Sequence, residues 1–127
     1  VINKHKMINL IIDVAKEKII LNIIIDDNLY SNEYSNNRKN FDSLVLIIFK
    51  FLDENKVELK EISNIFIKQG SGKLTSIRSV TAICKALRMS NNVNLYGFNE
   101  EHIGQNDYKK LLNFLKSETL RKNLIKL

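Results

Sequence analysis

Between residues 62 and 98 the chain reads ISNIFIKQGSGKLTSIRSVTAICKALRMSNNVNLYGF. The apolar run at residues 65–67 predicts a strand, and Gly70 and Gly72, in a chain with only four glycines, predict a turn directly after it. The run at residues 93–98 predicts a second strand. A helix between the two strands is indicated by apolar residues at helical spacing: Ile77, Val80, Cys84 and Leu87. This order is typical of an α/β domain.

Three further strands are predicted before this segment. Residues 8–13 (INLIID) and 19–25 (IILNIII) are β-branched runs, and residues 29–35 form a more polar run with two tyrosines. Short polar connections separate the three runs, which favours an antiparallel meander. A helix over residues 41–52 follows, with Asn40 as its predicted N-cap.

The helix at residues 41–52 is apolar nearly all round. A helix on the surface of a small domain needs only one apolar face, so this one is expected to be buried on two sides. The second side is covered either inside the chain or in an interface with another protein. The candidate interface residues, with one cation from the following helix, are Phe41, Leu44, Ile47, Ile48, Phe51 and Arg88.

The element order β-β-β-α-β-α-β predicts a ribonuclease H-like fold with a five-stranded mixed sheet. The same core occurs in sugar kinases, Hsp70 and actin, and is therefore of the ASKHA type. We assign residues 1–99 to this domain and residues 100–127 to a short, basic, amphipathic tail with one or two short helices. Fold alone does not define a function.

Composition limits the classes of protein further. A chain of 127 residues with 44% hydrophobic residues forms one domain with a core. The single Cys84 excludes a disulfide framework and a cysteine-based zinc site. No apolar run reaches the roughly 18 residues of a membrane span, so a cytoplasmic location without membrane contact is expected.

The net charge of +6 belongs entirely to the second part of the chain. Residues 1–70 carry ten basic and ten acidic side chains, whereas residues 71–127 carry ten basic and four acidic ones. No acidic residue occurs between Glu61 and Glu100, and five basic ones do: Lys68, Lys73, Arg78, Lys85 and Arg88. This pattern indicates either an anionic partner or a solvated basic face.

The candidate sites are few. Gly70 and Gly72 before a helix could cradle an anion or could simply form a tight turn, and the spacing of a P-loop is absent. Asp13 is interpreted as a strand-end cap rather than a metal ligand, because no second carboxylate is suitably placed. Cys84 lies on the core stripe of a helix, and the isolated His5 and His102 are expected on the surface. No catalytic constellation, cofactor or metal site is predicted.

Residues 62–98 resemble the TsaB (YeaZ) family, which carries a strand followed by Gly-Pro-Gly-Ser-Phe-Thr-Gly-Leu-Arg and then an Ala-Lys pair. Residues 7–15, MINLIIDVA, are similar to the family's opening strand, which ends in Asp-Thr-Ser. Asp13 is kept, and the two hydroxyls are replaced. Without a gap, the chain keeps seven of the later family positions: Gly70, Gly72, Thr75, Arg78, Ala82, Lys85 and Leu87.

The resemblance implies a non-catalytic scaffold that supports threonylcarbamoyl transfer to tRNA adenosine, of which this chain holds the N-terminal domain only. It implies pairing with a TsaD-like catalytic subunit, or homodimerisation, through the helices at residues 41–52 and 75–88. The family's glycoprotease (peptidase M22-like) label is not taken as an activity. It implies binding residues at the glycine turn and helix, namely Gly70, Gly72, Thr75, Arg78 and Lys85.

Two other functions are compatible with the sequence. One is a basic nucleic-acid-binding module that contacts tRNA, which rests on the acid-free span and the basic tail. The other is an enzyme of the same fold that holds a nucleotide with Asp13 and the Gly70–Gly72 turn.

Overall fold

A computed structural model describes residues 7–70 and 72–127, so His5 and Ser71 lie outside the described residues. Its framework is a six-stranded mixed sheet in the order β3-β2-β1-β4-β5-β6. β1, β2 and β3 form the predicted antiparallel meander, β4 and β5 lie parallel to β1, and β6 is antiparallel to β5. The strands are β1 (Ile8–Asp13), β2 (Lys18–Ile25), β3 (Asn28–Ser35), β4 (Asn64–Lys68), β5 (Asn94–Phe98) and β6 (Ile125–Lys126).

Five α-helices and two 3-10 helices connect and cover these strands in the described residues. The 3-10 helices are Leu59–Glu61 and Tyr108–Leu115. The α-helices are α1 (Arg38–Asp42), α2 (Leu44–Glu54), α3 (Leu74–Ser90), α4 (Glu100–Ile103) and α5 (Glu118–Arg121).

One face of the sheet is covered by α2 and α3. Alternate residues of β1 and β2 point to this face, among them Leu10 and Leu21, which are fully buried. The helices meet them with Leu44, Ile48, Phe51 and Leu52 from α2 and with Ile77, Val80 and Cys84 from α3. The stripe that the sequence predicts on α3 is therefore its core face.

The opposite face of the sheet is covered by the C-terminal segment, residues 100–127. Ile11 of β1, Phe66 of β4 and Phe98 of β5 pack there. The segment covers them with Ile103, Tyr108, Leu111 and Leu124. Burial on both faces explains why β1 and β4 are continuous apolar runs instead of alternating ones.

Two predictions about the fold are corrected. The sheet has six strands rather than five, because Ile125–Lys126 at the end of the tail pairs with β5. The helix predicted over residues 41–52 with Asn40 as its N-cap is two helices that meet at Ser43. The N-cap of the first is Asn37, whose side chain accepts a hydrogen bond from the backbone N–H of Asn40 at 2.8 Å.

Candidate functional site

Asp13 ends β1 and is buried with both carboxylate oxygens occupied. Oδ1 accepts a hydrogen bond from the backbone N–H of Ala15 at 3.1 Å, which fixes the turn after the strand. Oδ2 accepts a hydrogen bond from the Tyr108 hydroxyl at 2.8 Å. Asp13 thus lies at the end of β1 and bonds to the following turn, and Tyr108 is a partner that the sequence did not indicate.

Lys68 ends β4 beside Asp13, because β1 and β4 are parallel neighbours whose carboxyl ends meet at one edge of the sheet. Its side chain is only 3% exposed. The Lys68 Nζ lies 3.6 Å from Oδ2 of Asp13 and 3.0 Å from Oε1 of Glu100. On the solvent-exposed side, Nζ of Lys16 lies 2.8 Å from Oε1 of Glu100. We call Asp13, Lys16, Lys68, Glu100 and Tyr108 the Asp13 cluster.

The charges of the Asp13 cluster shift the pKa values of its members. Hydrogen bonds from Lys16 and then from Lys68 lower the pKa of Glu100 to about 2. The hydrogen bond to Glu100 raises the pKa of Lys16. Burial, reinforced by the neighbouring Asp13, raises the pKa of Tyr108 far above its ordinary range. These shifts favour the charged forms of Glu100 and Lys16 and the neutral form of the Tyr108 hydroxyl near neutral pH.

The Asp13 cluster changes two interpretations of the sequence. Lys68 does not belong to an open basic field, because it is buried against two carboxylates. Asp13 could hold a metal-bound nucleotide only if its contacts with Tyr108 and Lys68 were broken first. In the part of the chain that the structure describes, no three His, Cys, Asp or Glu side chains are grouped as metal ligands.

The glycine turn follows β4 and leads into α3. Both glycines have positive φ values, +93° at Gly70 and +128° at Gly72. A Cβ at Gly72 would overlap the carbonyl oxygen of Ala15, and Lys73 N–H donates to that same oxygen at 2.9 Å. Close packing against the turn after β1 thus requires Gly72, as expected for the tight-turn alternative.

The remaining predicted binding residues lie along α3. Thr75 is in its first turn and is exposed. Arg78, Lys85 and Arg88 are also exposed and form no ion pair within residues 7–70 and 72–127. Arg78 and Lys85 are seven residues apart and lie on one side of the helix, away from its core stripe, whereas Arg88 lies closer to that stripe, near the C-terminal end of the helix. We call these three cations the basic ridge.

The predicted interface residues of α1 and α2 divide into two groups. Leu44, Ile48 and Phe51 are buried in the chain's own core, so their assignment to an interface is corrected. Phe41 and Ile47 are half-buried at the edge of that core. The outer side of α2 instead presents Val45, Leu46 and Phe49, which are 42%, 72% and 41% exposed. We call these three residues the α2 patch.

Cys84 and His102 are the two remaining residues that the sequence singles out, and their surroundings differ. Cys84 is fully buried, as predicted, and burial raises the pKa of its thiol to about 12. His102, which is expected on the surface, is half-buried and has hydrogen-bond partners at both ring nitrogens. Its Nδ1 accepts a hydrogen bond from the N–H of Asn99 at 3.0 Å, and its Nε2 lies 2.7 Å from the carbonyl oxygen of Asn123. It therefore ties α4 to the end of the C-terminal segment.

Comparison with solved structures identifies the fold of this chain. YeaZ from Pseudomonas aeruginosa superposes with a TM-score of 0.68 over 76% of this chain at 18% identity. A protein with similarity to peptidase YeaZ, from the same organism, matches equally well. RuvC from T. thermophilus, solved in complex with a Holliday junction substrate, matches over 78% of the chain with a TM-score of 0.54 and 8% identity. The predicted α/β, ribonuclease H-like fold is thereby confirmed.

The same comparisons define the extent of the likeness. The chain spans about half of the two YeaZ-like structures, covering 46% and 45% of their lengths. No protein-family model and no curated protein matches the sequence significantly. Among the described residues, no helix is both long enough and apolar enough to cross a membrane.

Proposed function

We propose that this chain is a non-catalytic, TsaB-like scaffold that supports threonylcarbamoyl transfer to tRNA adenosine by pairing with a TsaD-like catalytic subunit. The fold it has in common with YeaZ supports this proposal, as do the family residues at the glycine turn and along α3. The observation that carries it is the α2 patch, because three large apolar side chains on the outer side of one helix leave a surface for a partner.

The side chains around the α2 patch indicate what kind of partner surface would complement it. α2 and α3 cover the same face of the sheet, so the patch and the basic ridge of Arg78, Lys85 and Arg88 both belong to the outer side of one helix layer. A complementary surface has an apolar centre with acidic residues toward its edge. In a homodimer formed through the α2 patch, two basic ridges that came close together would repel each other. This repulsion disfavours such a dimer.

The experiment is co-purification of this protein with the TsaD-like protein of the same organism. The double variant Leu46→Asp with Phe49→Asp places two charges in the centre of the α2 patch and alters no buried core residue. Because loss of a single central hot-spot residue costs about 2 kcal/mol or more, the complex is expected to weaken at least roughly 30-fold.

The matched control is Leu120→Asp, which charges a similarly exposed leucine, 39% accessible, in α5 of the C-terminal segment. It is expected to leave the complex intact. Undiminished binding by the α2 patch variant would refute the proposed interface. Failure of the unmodified protein to bind any TsaD-like protein would refute the scaffold role.

A second function, binding of tRNA by the basic ridge, is favoured by the exposure of Arg78, Lys85 and Arg88. Phosphate contacts release counterions, so binding should weaken steeply as salt increases. Reversal of all three charges is expected to abolish the salt-sensitive binding in a mobility-shift assay. A tRNA affinity that stays the same in that variant would exclude the ridge as the site.

A further inference from the structure

A groove of about 480 Å³ lies where the end of α3, the strand β5 and the last residues of the described chain come together. It is lined on one side by Arg88 and on the other by α5 and β6. We call it the C-terminal groove. It shares Arg88 with the basic ridge but no residue with the α2 patch, and the inference below does not rest on the proposed function.

The floor of the C-terminal groove is apolar. Val93 and Leu95, from the core under α3, and Leu124, from the core on the other face of the sheet, are buried at its base, and Ile125 and Leu127 are half-buried beside them. The half-buried Ile125 and Leu127 offer contact area to an apolar ligand group that is taken out of water. Phosphate or free carboxylate binding does not require such a floor.

The rim of the groove is strongly basic. It carries Arg88, Arg121, Lys122 and Lys126 against a single acidic residue, Glu118. In the described parts of the chain none of the four cations forms an ion pair. Arg121 is half-buried and held in place, since its guanidinium donates a hydrogen bond of 2.8 Å to the carbonyl oxygen of Leu115.

The groove also runs along the edge of the sheet. β6 is the last strand in the sheet order and pairs with β5 on one side only. Within residues 7–70 and 72–127, no strand pairs with its outer side. Exposed strand edges are surfaces to which an extended peptide can add.

From these observations we infer that the C-terminal groove binds an acidic peptide segment that also carries apolar side chains. The apolar side chains would occupy the floor over Leu95 and Ile125, and the carboxylates would meet the unpaired cations of the rim. Single-stranded RNA fits less well, because it binds through several exposed aromatic rings and this groove has one, Tyr96, already stacked on Phe66 at 5.4 Å.

The test measures fluorescence anisotropy with four probes and the full chain. The probes are a peptide in which Glu and Leu alternate, a Glu–Ser peptide, a Lys–Leu peptide and an oligouridylate. The Glu–Leu peptide is expected to bind tightest. Reversing the rim with Arg88→Glu, Lys122→Glu and Lys126→Glu is expected to weaken that binding roughly 10-fold or more.

The matched control reverses three exposed lysines elsewhere, with Lys39→Glu, Lys50→Glu and Lys109→Glu, and so has the same net charge as the rim variant. It is expected to bind the Glu–Leu peptide like the unmodified chain. Amide chemical shifts should change at Leu95, Tyr96 and Ile125. Circular dichroism verifies that both variants are folded, and the neutral variants Arg88→Gln and Lys126→Gln replace the reversal if it unfolds.

Each other outcome overturns the inference. Tighter binding of the oligouridylate would make the groove an RNA site, and equal binding of the Glu–Ser peptide would remove any role for the apolar floor. If the control variant bound the Glu–Leu peptide as weakly as the rim variant, the loss of affinity would be an effect of net charge alone. If none of the four probes bound, the groove would not bind an acidic peptide of the proposed kind.

Discussion

The hydroxyl of Tyr108 donates a hydrogen bond of 2.8 Å to Oδ2 of Asp13, across 95 positions of sequence. It fastens the C-terminal segment to the end of the first strand, at the point where β1 and β4 finish side by side. The contact is buried and its acceptor is charged, so it is of the stronger kind of hydrogen bond in proteins. The C-terminal segment is therefore an integral layer of the fold.

Replacing Tyr108 by Phe removes this hydrogen bond and keeps the ring that packs on Phe98. Because a hydrogen bond to a buried charged group is involved, the free energy of unfolding should fall by about 2 kcal/mol in urea titration. Tyr30→Phe, at an exposed tyrosine of β3, is the control and should change little. A Tyr108→Phe protein as stable as the control would contradict the assigned role of the hydroxyl.

Lys68→Met tests the buried ion pair of the Asp13 cluster. Removing the ammonium leaves the Asp13 carboxylate without its buried cation, which should lower the free energy of unfolding by about 3 kcal/mol or more. Lys16→Met removes an exposed partner of Glu100 and should cost less than about 1 kcal/mol.

A second change separates charge from packing at Lys68. Adding Asp13→Asn to the Lys68→Met protein removes the unpaired charge, so the double variant should lose less stability than the sum of the two single variants. Strict additivity of the two losses would show that Asp13 and Lys68 do not interact.

Strands β1, β2 and β4 could be predicted from the sequence because burial on both faces leaves runs rich in β-branched residues, whereas the exposed β3 was indicated by a more polar run with two tyrosines. β1 was predicted with its observed bounds, and β2, β3, β4 and β5 within one residue at each end. α3 was predicted from its apolar stripe, which ends in Cys84 and Leu87. In each of these elements, local pattern and tertiary environment agree.

β6 could not be predicted because its two residues form a strand only through pairing with Tyr96 and Gly97. The burial of Lys68 was missed for a related reason, since its two carboxylate partners, Asp13 and Glu100, lie far away in the sequence. Read alone, a lysine in an acid-free span predicts a solvated cation. The C-terminal groove was missed too, because three separate elements build it.

The acid stability of the protein should depend on Glu100. Its pKa in the folded protein is about 2, below the ordinary value of 4.5, so the unfolded chain binds the proton more tightly. The stabilisation by this carboxylate is therefore complete above pH 4.5 and is lost as the pH falls from there through 2. Glu100→Gln should flatten the dependence of the melting temperature on pH within that window.

Glu101→Gln is the control for Glu100, because Glu101 is the next residue of α4 and is exposed. High salt should also weaken the effect of Glu100, since its side chain is 57% exposed. Equal pH profiles for the Glu100→Gln and unmodified proteins would show that the ion pairs with Lys16 and Lys68 do not persist in solution.

Gly72→Ala should destabilise the fold far more than Gly70→Ala. Both residues have positive φ, which costs an alanine about 1 kcal/mol or more, but only at Gly72 would the new Cβ overlap the backbone of Ala15. At Gly70 the nearest atom, Cβ of Asn99, is 3.9 Å away. Urea denaturation of the two variants measures the difference, and equal losses would contradict the close packing at Gly72.

Cys84 should be unreactive until the protein unfolds. Its side chain is fully buried in α3, and a thiol pKa of about 12 leaves on the order of 10⁻⁴ of it ionised at about pH 8. Labelling with a thiol-reactive dye should therefore be limited by unfolding and accelerate with urea. The control combines Cys84→Ala with Ser31→Cys on exposed β3 and should label at once without urea. Equally prompt labelling of the unmodified protein would mean that the core beneath α3 is open to solvent.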